Sequence, residues 1–127
     1  MWTFYVHSKK ILIFGHKLSL MTTMKKHTTF GEQLRQLREN AGMTLREVAA
    51  NIEIDPSLLA KIERNQRQPT KHLIKNIADF FEVNEKELLE EFLSDQIAYK
   101  ILDENADLNI LKVAEEKVAY IKTLRNE

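Results

Sequence analysis

Four cations, Lys61, Arg64, Arg67 and Lys71, crowd one short stretch that also carries Ser57 and Gln66. Ammonium and guanidinium groups at that density suit phosphate, and Ser, Lys and Arg side chains can also hydrogen-bond base edges in a DNA groove. A basic run alone is usually a solvated helix face. Here the charge is segregated: Lys61 to Lys75 holds five basic residues against one acidic, and Asp79 to Glu91 holds six acidic against one basic. The net charge of zero therefore hides a chain that is electrically polar along its length. Other chemistries find no support. The chain has no Cys, and His7, His16, His27 and His72 share no ligand spacing. There is no Gly-rich phosphate loop and no nucleophile beside a base, so no enzyme, metal, cofactor or small-molecule ligand is expected.

The elements that would position these cations are short helices with clear start signals. Thr44 followed by Glu47 forms the reciprocal cap of a helix start, and Val48, Ala49 and Ile52 then fall on one face. A break of three residues follows. Asp55-Pro56 opens a second helix, an N-cap carboxylate before a proline whose missing N–H costs nothing at the first helical position. Leu59 and Ile62 continue its apolar face, and Ala49 is small enough for two helices to cross closely. Two such helices with this break form a helix-turn-helix, whose second helix can place its first two turns in a major groove.

The segment Phe30 to Leu89 resembles the Cro/phage-repressor class of helix-turn-helix domains, the Xre family. The resemblance is carried by Phe30, Leu34 and Leu37, by Gly42-Met43-Thr44, by Ser57 to Arg64 ending Lys61-Ile62-Glu63-Arg64, by Arg67-x-Pro69, and by Ile77-Ala78 with Phe81-x-Val83. It implies an all-α, five-helix lambda-repressor-like domain that binds double-stranded DNA. It places base reading on Pro56, Ser57 and Lys61, with Arg64 close by. Lys61 would favour guanine O6 and N7 or else reach a phosphate, Ser57 would discriminate weakly, and Pro56 and Leu58 would offer apolar contact to a thymine methyl. Phosphates would be held by backbone N–H groups near Thr44 and by the loop from Asn65 through Gln66 and Arg67 to Thr70 and Lys71. Arg67 is the foremost of these. Asn65 suits a left-handed helix end, a structural role. Arg38 and Glu63 match a salt bridge that orients the recognition helix in this class. Three positions depart from the pattern: Glu53 and Glu82 stand where the family favours glycine, and Leu45 stands where many relatives have a phosphate-binding glutamine.

Three regions organise the chain. Residues 1–23 have no acidic residue and precede Met24, and we expect them to be upstream sequence without function, or else a hairpin pairing Phe4 to Val6 with Ile11 to Phe14. Ile11 to Phe14 is far too short for a membrane span of about 20 residues, so no membrane is expected as a partner. Residues 24–93 form the helix-turn-helix domain, with helices starting at Thr29, Thr44, Asp55, Thr70 and Asn84. Residues 94–127 add two C-terminal helices, one opened by Ser94-Asp95 and one by Asp107. In the last, Leu111, Ala114, Val118 and Ile121 recur at the spacing of paired helices, widened by Ile110, Val113, Tyr120 and Leu124. A stripe that wide folds back on its own domain or meets a second copy, and a homodimer is the favoured expectation. The expected function is a cytoplasmic, nucleoid-associated bacterial regulator binding a palindromic operator, with a restriction-modification controller or an antitoxin-type repressor as subtypes. The alternative is an adapter that keeps the fold and docks protein through the acidic Glu82 to Glu91 surface and the last helix.

Overall fold

Side-chain oxygens start five of the helices. In the computed structural model, which describes residues 27–127, the Thr29 hydroxyl accepts from the Glu32 N–H while the Glu32 carboxylate accepts from the Thr29 N–H, opening α1 (Phe30–Asn40). Thr44 and Glu47 repeat this reciprocal pair at α2 (Leu45–Asn51). The Asp55 carboxylate, followed by Pro56, opens α3 (Pro56–Glu63), and the Thr70 hydroxyl opens α4 (Lys71–Phe81). Asn84 Oδ1 accepts from the Glu87 N–H at 3.0 Å to open α5 (Glu85–Asp103). All of these starts match the sequence expectation. Only α6 (Ile110–Leu124) begins differently: Asp107 Oδ1 caps a preceding turn through the Asn109 N–H at 2.8 Å, and the helix itself starts without a side-chain cap. The expectations for Met1 to Thr23, the Phe4 to Val6 hairpin included, lie outside the described residues.

All six helices among the described residues stop the same way. Each is followed by a residue at positive φ, namely Gly42, Glu53, Asn65, Glu82, Asn105 and Asn126. The next N–H then bonds back to the carbonyl five residues earlier, as Met43 does to Arg38 and Gln66 to Lys61. Glycine and asparagine tolerate this conformation, whereas Glu53 (φ 58°) and Glu82 (φ 57°) carry the strain that their sequence positions announced.

The architecture is all-α, with no strand among the described residues. One boundary needs correction. The helix expected to open at Ser94-Asp95 does not start there, because α5 runs unbroken from Glu85 to Asp103. Ser and Asp make a cap only where the preceding chain has left helical geometry, and no Gly or Pro interrupts the residues before Ser94. Continuing a helix by one residue is far easier than nucleating a new one. The domain is therefore followed by the rest of α5 and by α6 rather than by two separate helices.

The core is formed by Phe30, Leu34 and Leu37 of α1, Val48 and Ala49 of α2 with its C-cap Ile52, Leu59 and Ile62 of α3, five residues of α4 and Leu88 of α5. Phe92 adds an edge-on ring against Phe30 with centroids 5.8 Å apart. The chain divides into two compact units, one ending at Leu93 and one spanning Ser94–Glu127. Among the described residues, every buried side chain lies in the first, and every exposed large apolar side chain except Leu93 lies in the second.

Candidate nucleic-acid interface

The turn between α2 and α3 fixes where α3 points. Ile52 is buried, Ile54 packs against the core, and Glu53 between them takes the left-handed conformation that reverses the chain. Asp55 then accepts from the Ser57 N–H at 3.1 Å and from the Ser57 hydroxyl at 3.0 Å. The bond from the Ser57 backbone N–H, seconded by the Ser57 hydroxyl, holds the Asp55 carboxyl below the usual carboxylate range.

From that start the helix sorts its residues by period. Leu59 and Ile62 face inward with essentially no exposure, and Pro56, Ser57, Lys61 and Arg64 are exposed. Ser57 and Lys61 stand one turn apart on a single face, with Arg64 close to the next turn. Leu58 is different. It is half-buried against the core, so apolar base contact through Leu58 is confined to whatever part of it stays outward.

Two devices hold α3 in place. Arg38 grips Glu63 through two bonds, Nε to Oε2 at 2.7 Å and Nη2 to Oε1 at 2.9 Å, and its Nη1 donates to the Met43 carbonyl at 3.1 Å. The side chains are 14% and 5% exposed, which places this pair among the buried ones whose disruption is costly. The Glu63 hydrogen bond raises the Arg38 pKa further, so the guanidinium is charged at every relevant pH. Two residues beyond the helix, Asn65 donates from Nδ2 to the Thr29 hydroxyl at 2.8 Å and accepts from the Gly31 N–H at 3.1 Å. Asn65 thus ends α3 and ties it to the start of α1.

Gly31 makes that tie possible. A Cβ at Gly31 would stand 2.5 Å from the Glu63 carbonyl oxygen and 2.6 Å from Asn65 Oδ1, so only glycine lets the two helix ends meet. Sequence reasoning missed it. The available signal was a glycine one residue into an otherwise well-formed helix, where it costs stability unless something approaches closely.

The other sequence-selected residues surround the same helix. Arg64 Nε donates to Gln66 Oε1 at 3.3 Å, which braces the two against each other. Arg67 and Lys71 are exposed on either side of buried Pro69. The Thr70 hydroxyl accepts from the Leu73 N–H at 3.1 Å, and the amides of Lys71 and His72 lie in the first turn, where no intrahelical acceptor exists. At α2 the amide of Thr44 is not open to phosphate, because it donates to Glu47 Oε1 at 3.3 Å. The open amides there belong to Leu45 and Arg46. Leu45 packs against the core, while Arg46 beside it is exposed and is a cation that sequence reasoning passed over. Its signal was the departure at Leu45 itself: a lost polar contact invites a search of the next residue.

The exposed helix, its tight turn and the cations around it lie within the stretch that comparison with known proteins matches. Residues 29–92, half of the chain, match the helix-turn-helix domain family, and the chain belongs to that family. It is similar to the HTH-type transcriptional regulator DdrOP3 of Deinococcus deserti, 32% identical over 79 residues, a stretch that covers 61% of this chain and 61% of that relative. Among solved structures it is similar to the clp gene regulator ClgR from Corynebacterium glutamicum, 22% identical with a TM-score of 0.46 over 76% of this chain and 88% of that one.

Proposed function

We propose that this protein is a sequence-specific DNA-binding transcriptional regulator that reads a palindromic operator as a homodimer. The observation that carries the reading is the outward face of α3, where Ser57, Lys61 and Arg64 are exposed while Arg38 and Asn65 fix the helix from behind. Pre-positioned side chains of these types suit base edges in a major groove, and Arg46, Arg67, Lys71 and the first-turn amides of α2 and α4 suit the flanking phosphates. The relative's name as a transcriptional regulator supports the same class. Among the described residues no helix is long and apolar enough to cross a membrane.

The dimer reading rests on α6, none of whose residues is buried. Leu111, Val118 and Ile121 are 46%, 54% and 41% exposed, and Ala114 between them is exposed as well. Contiguous apolar surface of this kind marks an interaction site. A second copy of the same helix supplies a matching stripe, and two copies spaced one helical turn of DNA apart read a palindrome. A helix-turn-helix regulator of this form fits a restriction-modification controller or an antitoxin-type repressor, two roles that the neighbouring gene separates.

The test is selection of bound sequences from a random DNA pool, followed by affinity measurement at several salt concentrations. The reading expects an enriched inverted repeat, bound far more tightly than scrambled DNA, with log affinity falling linearly against log salt. Equal affinity for selected and scrambled DNA would contradict it and leave a protein-docking role.

A further inference from the structure

Among the residues facing outward from α3, Ser57 alone has its hydroxyl proton committed within the protein. The Ser57 Oγ donates to Asp55 Oδ1 at 3.0 Å, and the same carboxylate oxygen accepts the Ser57 amide at 3.1 Å. An ionised carboxylate has no hydrogen to give, so the direction of the bond is fixed by chemistry rather than by choice of rotamer. The serine hydroxyl, which in general reads donors and acceptors alike, is left with lone pairs only. Asp55 Oδ2 adds a second exposed acceptor beside it. One turn along, Lys61 is donor-only, and Arg64 is donor-only after that. The outward face of the helix therefore begins with acceptors and ends with donors.

Resting on the DNA-reading role above, we infer that Asp55 makes Ser57 a specificity determinant for an exocyclic amine, that of cytosine or adenine, at one position of each half-site. Only cytosine N4 and adenine N6 present a donor in the major groove, whereas guanine and thymine present acceptors that would face the serine lone pairs without a proton between them. Asp55 acts here as a positioning residue: it orients the hydroxyl and is not required to touch the base.

The experiment compares selected-sequence profiles of the full chain, Ser57→Ala, Ser57→Thr and Asp55→Ser, with thermal melting of each variant recorded alongside. The parent should prefer cytosine or adenine over guanine and thymine by about tenfold at one half-site position. Ser57→Ala should flatten that position alone, and Ser57→Thr, which keeps a hydroxyl for Asp55, should retain the preference. Asp55→Ser keeps an N-cap oxygen but frees the Ser57 proton, so guanine and thymine should become acceptable at the same position. Loss of a guanine or thymine preference in Ser57→Ala, or an Asp55→Ser profile identical to the parent, overturns the inference while leaving the DNA-reading role intact. If the parent enriches no sequence, both fall together. Should Asp55→Ser melt early, the contrast between Ser57→Ala and Ser57→Thr decides the matter on its own.

Discussion

Helices α4 and α6 both carry apolar residues at helical spacing, yet α4 buries Leu73, Ile74, Ile77, Ala78 and Phe81 whereas α6 buries nothing. The difference is one of neighbours rather than of pattern. α4 belongs to the unit that ends at Leu93, where α1, α2, α3 and the first half of α5 supply the rest of one core. α6 belongs to the unit Ser94–Glu127, which has no buried residue at all. Periodicity states that a face will be covered; what covers it is decided by the rest of the fold or by another chain. The first unit thereby holds α3 in place, and the second leaves the apolar stripe of α6 exposed.

The comparison breaks most sharply at the ion pair behind α3. Arg38→Ala leaves Glu63 buried without its partner and should destabilise the first unit by about 3–5 kcal/mol in urea unfolding. A loss below about 1 kcal/mol would mean that the pair is as weak as an exposed one. The second unit should respond in the opposite manner. Val118→Glu with Ile121→Glu places like charges in the proposed seam, so the variant should sediment as a monomer and keep its helical circular dichroism. Its affinity for a palindrome should fall at least about a hundredfold as the second half-site is lost. Unfolding instead would show that α6 packs within its own chain.

Within the first unit, the roles of two cations can be separated. Lys61→Ala should narrow the gap between selected and scrambled DNA by about 1–3 kcal/mol, while Arg67→Ala should weaken both alike and make the salt slope shallower by about one. Identical behaviour of the two variants would dissolve the distinction between reading and positioning. The smallest effect concerns the helix ends. Glu53→Gly and Glu82→Gly remove a Cβ from left-handed backbone and should each stabilise the fold by about 1 kcal/mol in thermal or urea unfolding. No gain at Glu53 would indicate that the turn holds its side chain for another reason.

Much of this was legible in the sequence because helix starts and stops are local chemistry. Thr29, Thr44, Asp55 and Thr70 cap as their types and spacing indicate, and Asn65 and Glu82 sit in left-handed backbone where the chain must leave a helix. The pairing of Arg38 with Glu63 entered only through family resemblance, since residues 25 positions apart share no local signal. The tie from Asn65 to Thr29 and Gly31 was illegible for the same reason: it exists only once α1 and α3 meet. Ser94-Asp95 misled in the other direction, offering cap residues where no helix had ended. Leu58 and Thr44 show the same limit at the site, because packing and capping had already claimed groups that composition left available.

The most direct test of the account is the number of chains on one operator. Sedimentation equilibrium of the full chain with its selected DNA should find two chains per duplex, on half-sites centred about 34–36 Å apart. One chain per duplex at saturation would contradict it, leaving α3 as a reader of single half-sites and the exposed stripe of α6 without its proposed partner.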